Sequence, residues 1–220
     1  MGIELRRTDT EEISSSFPGL HVDLNNQRIW GTLSFGCWYD TSSKELVHDP
    51  IHTESIKDDY EIVISFCEQD TFGFPIVREP SEKISDFAKS EGLELSDLHM
   101  NKDDESSCCL GIFPEYHWVS PATFIRDKVL PYFFWQSFRR IHGVEPWKCF
   151  EHGLEGIHQA LIRPLKQIEK GCYTNKPCPC GSGKKYKKCC KLRDQKLSSI
   201  LRNASSAKAR KVEKPLEATP

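Results

Sequence analysis

Four of the ten cysteines in this chain stand within thirteen residues near its carboxyl end. The segment reads Cys178-Pro-Cys180, then Gly-Ser-Gly-Lys-Lys-Tyr-Lys-Lys, then Cys189-Cys190, and its two glycines allow a tight reversal between the cysteine pairs. So short a segment cannot bury an apolar core, and four thiolates suit tetrahedral zinc. The spacing therefore predicts a closed structural zinc site with Cys178, Cys180, Cys189 and Cys190 as ligands, and no open position for a catalytic metal.

The same segment resembles the SEC-C metal-binding motif, in which Cys-x-Cys is followed after eight residues by Cys-Cys. The resemblance implies a zinc-bearing element that takes part in protein interactions. The alternative is that these four cysteines are ordinary reduced thiols.

Length and charge divide the 220 residues into regions with different expected partners. Residues 1–162 carry 14 Lys and Arg against 28 Asp and Glu, whereas residues 163–220 carry 16 against 4. We predict a main domain over 1–170, a zinc-binding module over 171–203 and a mobile basic tail over 204–220. An acidic main domain is expected to repel nucleic acid, whereas the basic tail suits phosphates, an acidic partner or the main domain itself. A nucleic-acid adaptor is the weaker functional alternative.

The sequence also predicts a protein that does not enter a membrane. No apolar run reaches the ~18–20 residues that span a bilayer, and the amino terminus lacks the pattern of a signal peptide. We therefore expect a cytoplasmic protein whose cysteines are reduced or metal-bound.

Alternating apolar residues and turn residues predict the sheet. Residues 20–24 and 28–35 read as a hairpin around Asn25-Asn26, and 60–66 and 75–79 read as two further strands. Residues 40–59 are polar and predict irregular structure. The short links favour an α+β fold with a four-stranded antiparallel sheet, carboxyl-terminal helices and a small zinc knuckle.

Two helices are predicted after the sheet. Ser120 followed by Pro121 is typical of a helix start, because the hydroxyl caps free N–H groups and proline suits the first turn. Pro131 predicts a kink or break near Leu130. Apolar residues at helical spacing predict an amphipathic helix over 151–169.

A stretch over residues 98–121 carries the second candidate site. It reads His99-x-Asn101, seven residues, Cys109-Leu110, and later Trp118-Val-Ser120-Pro121. This resembles the active-site segment of ubiquitin-conjugating enzymes, in which a His-Pro-Asn turn precedes Cys-Leu and Trp-Ser-Pro opens the next helix. Met100 replaces the proline of that turn, and Gly111 follows Cys-Leu where an aspartate is usual.

The resemblance implies a chemistry for each residue. Cys109 would carry a protein carboxyl terminus as a thioester and pass it to an amine. Asn101 would donate to the oxyanion of the thioester under attack, and His99 would be a structural residue of the turn. The amino-terminal helix with which that family docks its activating enzyme has no evident counterpart in residues 1–19.

The domain and the motif together look like prokaryotic ubiquitin-conjugating-like proteins, including those encoded in bacterial CBASS antiphage operons. The resemblance implies a role in antiviral defence. It also implies, as the carried protein, a nucleotidyltransferase that synthesises cyclic oligonucleotides, with an activating enzyme as a further partner.

Two alternatives belong to other functional classes. A cysteine hydrolase would use Cys109 with His117 or His142 as its base. A non-catalytic, zinc-bearing adaptor would keep the fold and the motif without a competent thiol. Cys108 is interpreted as a packing residue, since free cysteine is often buried.

Overall fold

The computed structural model of this chain describes residues 4–70, 74–101, 107–111, 120–147, 174–177, 184–189, 191–192 and 195. They belong to two compact units, residues 4–147 and residues 174–195, which are taken separately below.

The first unit is an α+β structure built on an antiparallel sheet, as the sequence predicts. The strands described are β1 Leu20–Asp23, β2 Arg28–Asp40, β3 Glu45–His48, β4 Ile56–Gln69 and β5 Pro75–Arg78. Their order is β1-β2-β4-β5, with β3 also paired to β2. The predicted hairpin of the first two strands is confirmed, with Asp23 opposite Arg28.

The prediction of four strands is wrong, because the described residues form five. The additional strand, β3, lies in the region that was expected to be irregular and pairs with the end of β2. The turn between them is held by the Asp40 carboxylate, which accepts hydrogen bonds from the backbone N–H of Ser42 at 2.8 Å and the hydroxyl of Ser43 at 3.0 Å. This side-chain turn closes a hairpin that hydrophobic alternation alone did not reveal.

One face of the sheet is covered by a long helical segment. Ile29, Leu33 and Ile64 on the central strands are fully buried. The Tyr60 ring of β4 packs against Phe133 of the helical segment, with ring centroids 4.6 Å apart. These apolar contacts fix the segment that also supports the candidate thiol site.

The helices of this unit are α1 Arg7–Ser16, α2 Lys83–Glu91, α3 Pro121–Phe124 and α4 Leu130–His142. The predicted start at Ser120 is confirmed, because its hydroxyl accepts the backbone N–H of Thr123 at 3.2 Å. Residues 1–19 include a helix, α1, and the expectation that they hold no counterpart of the family's docking helix stays a prediction. Ile13 of α1 is fully buried, and Glu12 accepts a hydrogen bond from the Ser120 hydroxyl at 3.0 Å.

The predicted irregularity before Pro131 takes the form of a π-helical turn, Ile125–Val129, between α3 and α4. The Leu130 N–H bonds to the carbonyl of Ile125, five residues earlier. In a regular α-helix the Pro131 ring would clash with the carbonyl four residues earlier, and the wider turn removes that clash.

Among the described residues, none of the helices combines the length and the apolar composition required to traverse a bilayer. The predicted helix over 151–169, the predicted tail over 204–220 and the proposed boundaries at 170 and 203 lie outside the described residues.

Candidate functional site

The predicted thiol lies in a short pair of antiparallel segments. The Asn101 N–H donates to the carbonyl of Ser107 at 2.8 Å, and the Cys109 N–H donates to the carbonyl of His99 at 2.7 Å. Met100 and Cys108 form the bridge between these two bonds. Residues 99–101 therefore run antiparallel to residues 107–109, and we call these two segments the thiol hairpin.

The thiol hairpin extends the edge of the sheet. The Cys108 N–H donates to the Val77 carbonyl of β5 at 2.7 Å, and Ser107 forms an antiparallel bridge with Arg78. A peptide segment in such a position is held by backbone hydrogen bonds, so its side chains take fixed, alternating directions.

That alternation separates the two neighbouring cysteines. Met100 and Cys108 are buried, 2% and 6% exposed respectively, whereas Asn101 is exposed and Cys109 is partly exposed. The structure thus brings Asn101 and Cys109 into the same hairpin and places Cys108 in the core, as a packing residue would be.

The Asn101 amide is oriented by a residue that the sequence did not single out. Its Nδ2 donates to the Ser107 hydroxyl at 3.1 Å. A carboxamide nitrogen carries two hydrogens, so a second donor direction is available beyond this bond. Ser107 stands two residues before Cys109, a position that the resemblance does not mark.

His99 has the geometry of a turn residue. Its φ of +53° lies in the left-handed region, and it ends a single 3-10 turn formed by Leu95–Leu98. The imidazole meets the Trp135 ring of α4 edge-on, with centroids 4.9 Å apart. The contribution of His99 to the site is therefore its backbone carbonyl, which receives the Cys109 N–H.

The surroundings of Cys109 disfavour the thiolate form of its side chain. Burial raises the pKa of the Cys109 thiol, and the nearby Asp70 carboxylate raises it further, while a hydrogen bond from the Gly111 backbone opposes both. A cysteine hydrolase relies on the opposite shift, in which an imidazolium lowers the thiol pKa. Of the candidate bases, His142 lies in the last turn of α4 against Phe138, with centroids 4.4 Å apart, and His117 lies outside the described residues.

Two further residues of the site, Tyr132 and Gln136 of α4, were not predicted. Both are buried. Gln136 donates to the Leu98 carbonyl, and the Tyr132 hydroxyl lies within hydrogen-bond distance of the Leu98 and His99 carbonyls. A polar pair four residues apart on an otherwise apolar helix face was the signal that the sequence offered.

The cysteine-rich segment is described on either side of residues 178–183. Pro177 forms an antiparallel bridge with Lys185, and the Tyr186 N–H donates to the Lys176 carbonyl at 3.0 Å. A short 3-10 turn over Tyr186–Lys188 then leads to Cys189, whose N–H bonds to the Tyr186 carbonyl at 3.0 Å. The paired flanks show the chain reversal that a knuckle requires, and Tyr186 is buried.

Of the four predicted ligands, Cys189 is described and is partly exposed, and Cys178, Cys180 and Cys190 lie outside the described residues. Four cysteine sulfurs form the donor set of a structural zinc site, and the reversal between residues 177 and 185 suits it.

Comparison with known proteins identifies this second unit. The SEC-C motif matches residues 175–191, so the chain carries a SEC-C motif. The protein translocase subunit SecA of Desulforudis audaxviator is 48% identical over 46 residues, which are 21% of this chain and 4% of that protein. UPF0225 protein plu2503 of Photorhabdus laumondii is 59% identical over 29 residues, 13% of this chain and 18% of that protein.

The uncharacterized protein YecA of Escherichia coli is 34% identical over an alignment of 71 residues, covering 25% of this chain and 31% of that protein. This chain thus spans less than a third of each of these three relatives. No solved structure matches the chain.

Proposed function

We propose that this chain is a cysteine-dependent conjugating protein. Cys109 carries the carboxyl terminus of a protein as a thioester and transfers it to an amine, and the SEC-C segment is a zinc-bearing element that contacts a protein partner. The observation that carries the proposal is the thiol hairpin, which holds Cys109 and the Asn101 amide on paired backbone segments.

The first step loads the thiol. The donor is a protein carboxyl terminus already activated as an acyl adenylate or as a thioester. Cys109 gives up its proton to solvent or, with a thioester donor, to the departing thiolate. Its sulfur attacks the carbonyl carbon, so a carbon–sulfur bond forms as the bond from that carbon to the adenylate oxygen or the donor sulfur breaks. No electron is gained or lost in this step.

The second step transfers the acyl group. A neutral amine attacks the thioester carbon, and the carbonyl oxygen becomes an oxyanion to which the Asn101 amide donates. The carbon–sulfur bond then breaks, and the Cys109 thiolate takes up the proton that the amine releases. His99 has no proton to move in this scheme, because its part is to hold the Cys109 backbone.

The raised pKa of the thiol supports this assignment over hydrolysis. A protonated thiol is a weak nucleophile toward unactivated amides, so Cys109 should react only with a donor that arrives activated. The thiolate that does form is intrinsically more nucleophilic than one with a low pKa.

The SEC-C segment is proposed to bind one zinc through Cys178, Cys180, Cys189 and Cys190. When bound, the metal supplies a cross-link that a segment of this size needs in place of a core. The lysines between the cysteine pairs offset the negative charge of a metal held by four thiolates.

The proposed setting is bacterial antiviral defence of the CBASS type, in the cytoplasm. The carried protein is then a nucleotidyltransferase that synthesises cyclic oligonucleotides, with an activating enzyme as a further partner. This setting rests on the resemblance of residues 98–121 together with the SEC-C motif.

The test is covalent capture with a protein whose carboxyl terminus is activated. The wild-type chain should form an adduct that reducing thiols release, because a thioester exchanges with free thiol. Cys109→Ser should form an oxyester that thiols do not release. Cys108→Ser is the matched control and should still form the thiol-labile adduct. If Cys109→Ser forms the labile adduct at the wild-type rate, Cys109 is not the nucleophile and the proposal fails.

A second candidate, a non-catalytic adaptor, is favoured by the SEC-C match at 175–191. The adaptor and the conjugating protein predict different results in the capture experiment. An adaptor should form no adduct through Cys109, and a partner captured by the wild-type chain should be retained by Cys109→Ser and released when Cys189→Ser removes a metal ligand.

A further inference from the structure

One face of α4 presents three donors to the end of the Leu95–Leu98 turn and the first residue of the thiol hairpin. Arg139 Nη1 donates to the carbonyl of Asp97 at 2.7 Å, and Gln136 Nε2 donates to the carbonyl of Leu98 at 2.5 Å. The Tyr132 hydroxyl lies 3.2 Å from the carbonyl of His99. Positions 132, 136 and 139 share one helix face, so a single rigid element fixes three consecutive carbonyls.

The last of these carbonyls connects α4 to the thiol. The His99 oxygen receives the Cys109 N–H at 2.7 Å and also faces the Tyr132 hydroxyl. A carbonyl oxygen has two lone pairs, so it can accept both bonds at once. The position of the Cys109 backbone therefore depends on where Tyr132 holds the His99 carbonyl.

Tyr132 is enclosed rather than free to reorient. It is 8% exposed, and its ring meets Phe133 at right angles. Its hydroxyl also lies 3.4 Å from the Leu98 carbonyl and 3.1 Å from Met100 Sδ, and it bonds with the buried Cys108 thiol. The neighbouring Gln136 is 3% exposed, and its Oε1 has no hydrogen-bond partner among the described residues. The opposite amide orientation would direct an oxygen at the Leu98 oxygen, so the observed one is the orientation that supports the turn.

We propose that Tyr132 is a positioning residue for Cys109. Its hydroxyl fixes the His99 carbonyl, the carbonyl fixes the Cys109 N–H, and the hairpin in turn keeps the Asn101 amide in register with the thiol. Its effect on acyl transfer rests on the proposed function, whereas its effect on the accessibility of the thiol does not.

Loss of the Tyr132 hydroxyl is expected to raise the alkylation rate of the thiol and to lower the aminolysis rate of the thioester. A purely structural role would not change these two rates in opposite directions. Without the hydroxyl, the hairpin relaxes and the sulfur gains solvent, so a small alkylating agent reaches it more easily. The same relaxation moves Asn101 out of register, so aminolysis of the Cys109 thioester slows. The Asp70 carboxylate and the Gly111 N–H, which also act on the thiol, are unchanged by the substitution.

The experiment compares Tyr132→Phe with Tyr60→Phe in the full chain. Tyr60 is the matched control, because it is a buried tyrosine whose hydroxyl pairs with the Ser137 hydroxyl at 3.0 Å rather than with a backbone carbonyl of the thiol hairpin. One measurement is the rate of alkylation of Cys109 by iodoacetamide at neutral pH, followed by peptide mass. The other is aminolysis after Cys109 has been acylated by a small aryl thioester of a peptide.

Tyr132→Phe should raise the alkylation rate about threefold and slow aminolysis about tenfold, as expected for the loss of one hydrogen bond. Tyr60→Phe should change neither rate. Gln136→Met, which removes the adjoining donor with little change in shape, should give the same pair of changes at smaller size and serves if Tyr132→Phe does not fold.

Equal rates in Tyr132→Phe and wild type, or a loss of both reactivities together, would overturn the positioning role. If the wild-type chain is acylated but never passes the group to an amine, the proposed function fails. The alkylation rates then decide the positioning role by themselves.

Discussion

The thiol hairpin and the SEC-C segment both present cysteines, and they do so by opposite means. The surroundings of Cys109 come from β5, α4 and the turn at Leu95–Leu98, which are far apart in the sequence. The four cysteines of the SEC-C segment lie within thirteen residues. One site depends on the tertiary fold, and the other depends on local spacing.

The charged groups near the sulfur atoms also differ between the two sites. Burial raises the pKa of the Cys109 thiol, the Gly111 backbone opposes this, and the Asp70 carboxylate adds to it. In the SEC-C segment, lysines surround the cysteines, and a bound zinc would stabilise the thiolate form. The comparison shows that neighbouring charged groups and burial decide whether a cysteine favours its thiol or its thiolate form.

The largest expected effect is on metal binding. Cys180→Ser should lower zinc affinity by more than ~10²-fold, since even changes outside the ligand set reach that size. Metal analysis of the purified chain should fall from about one equivalent to a small fraction. Cys172→Ser is the matched control, because this cysteine stands outside the motif, and it should keep its zinc.

The same experiment can break the comparison. The zinc prediction is wrong if wild-type protein holds no zinc and a chelator leaves the spectrum of the SEC-C segment unchanged. The cysteine spacing would then not be sufficient to predict a metal site. The alkylation rate of Cys109 should be unaffected by Cys180→Ser if that site depends on its own framework.

The next effect concerns the oxyanion. Asn101→Ala should allow the thioester on Cys109 to accumulate and should slow its transfer to an amine by ~10²-fold, the usual result of removing one oxyanion donor. Single-turnover kinetics of the isolated thioester measure this. Asn26→Ala, in the β1–β2 turn, is the control and should transfer at the wild-type rate. Transfer to water that exceeds transfer to amine would instead favour the hydrolase.

The smallest effect tests the framework that holds the thiol hairpin. The Asp58 carboxylate of β4 accepts hydrogen bonds from Lys83 Nζ at 2.6 Å, Ser137 Oγ at 2.6 Å and Arg140 Nη2 at 2.8 Å. It therefore joins the sheet to α2 and α4. Asp58→Asn should lower the free energy of unfolding by about 2 kcal/mol, as expected for hydrogen bonds to a charged group. Denaturant unfolding measures this, and exposed Asp59→Asn is the matched control.

The acid dependence of stability should identify the same carboxylate. Burial opposes ionisation of Asp58, but the hydrogen bonds from Lys83, Ser137 and Arg140 together lower its pKa from 3.8 to about 2. A group with a lowered pKa contributes stability above its unfolded pKa, and that contribution is lost as pH falls from about 4 toward 2. Asp58→Asn should flatten this part of the profile without changing zinc content. An unchanged profile would place the acid sensitivity elsewhere.

Local chemistry explains which elements could be predicted from the sequence. The β1–β2 hairpin, the Ser120 cap and the irregularity before Pro131 each depend on residues within a few positions of one another. The reversal in the cysteine-rich segment likewise follows from its own glycines and cysteines.

Contacts between distant residues, and for β3 a local side-chain turn, explain what alternation and spacing did not reveal. Helix α1 is stabilised by burial of Ile13 and by the bond between Glu12 and Ser120, which are 108 positions apart. Strand β3 depends on the Asp40 turn. The spacing around Cys109 selected the thiol, but it could not reveal that Tyr132 shares the His99 carbonyl with it, because that pairing exists only once α4 is packed.

The π turn at Ile125–Val129 also bears on how this helix tolerates changes in length. One extra residue in a turn offsets all later side chains by about 100° relative to a regular α-helix. Straightening the turn without shortening the chain would therefore rotate Tyr132 and Gln136 away from the backbone carbonyls they meet. Deleting one residue within the turn would instead restore α-helical bonding and leave Tyr132 and Gln136 in their present orientation relative to α3. Within 121–142, insertions and deletions are thus expected to concentrate in this one turn.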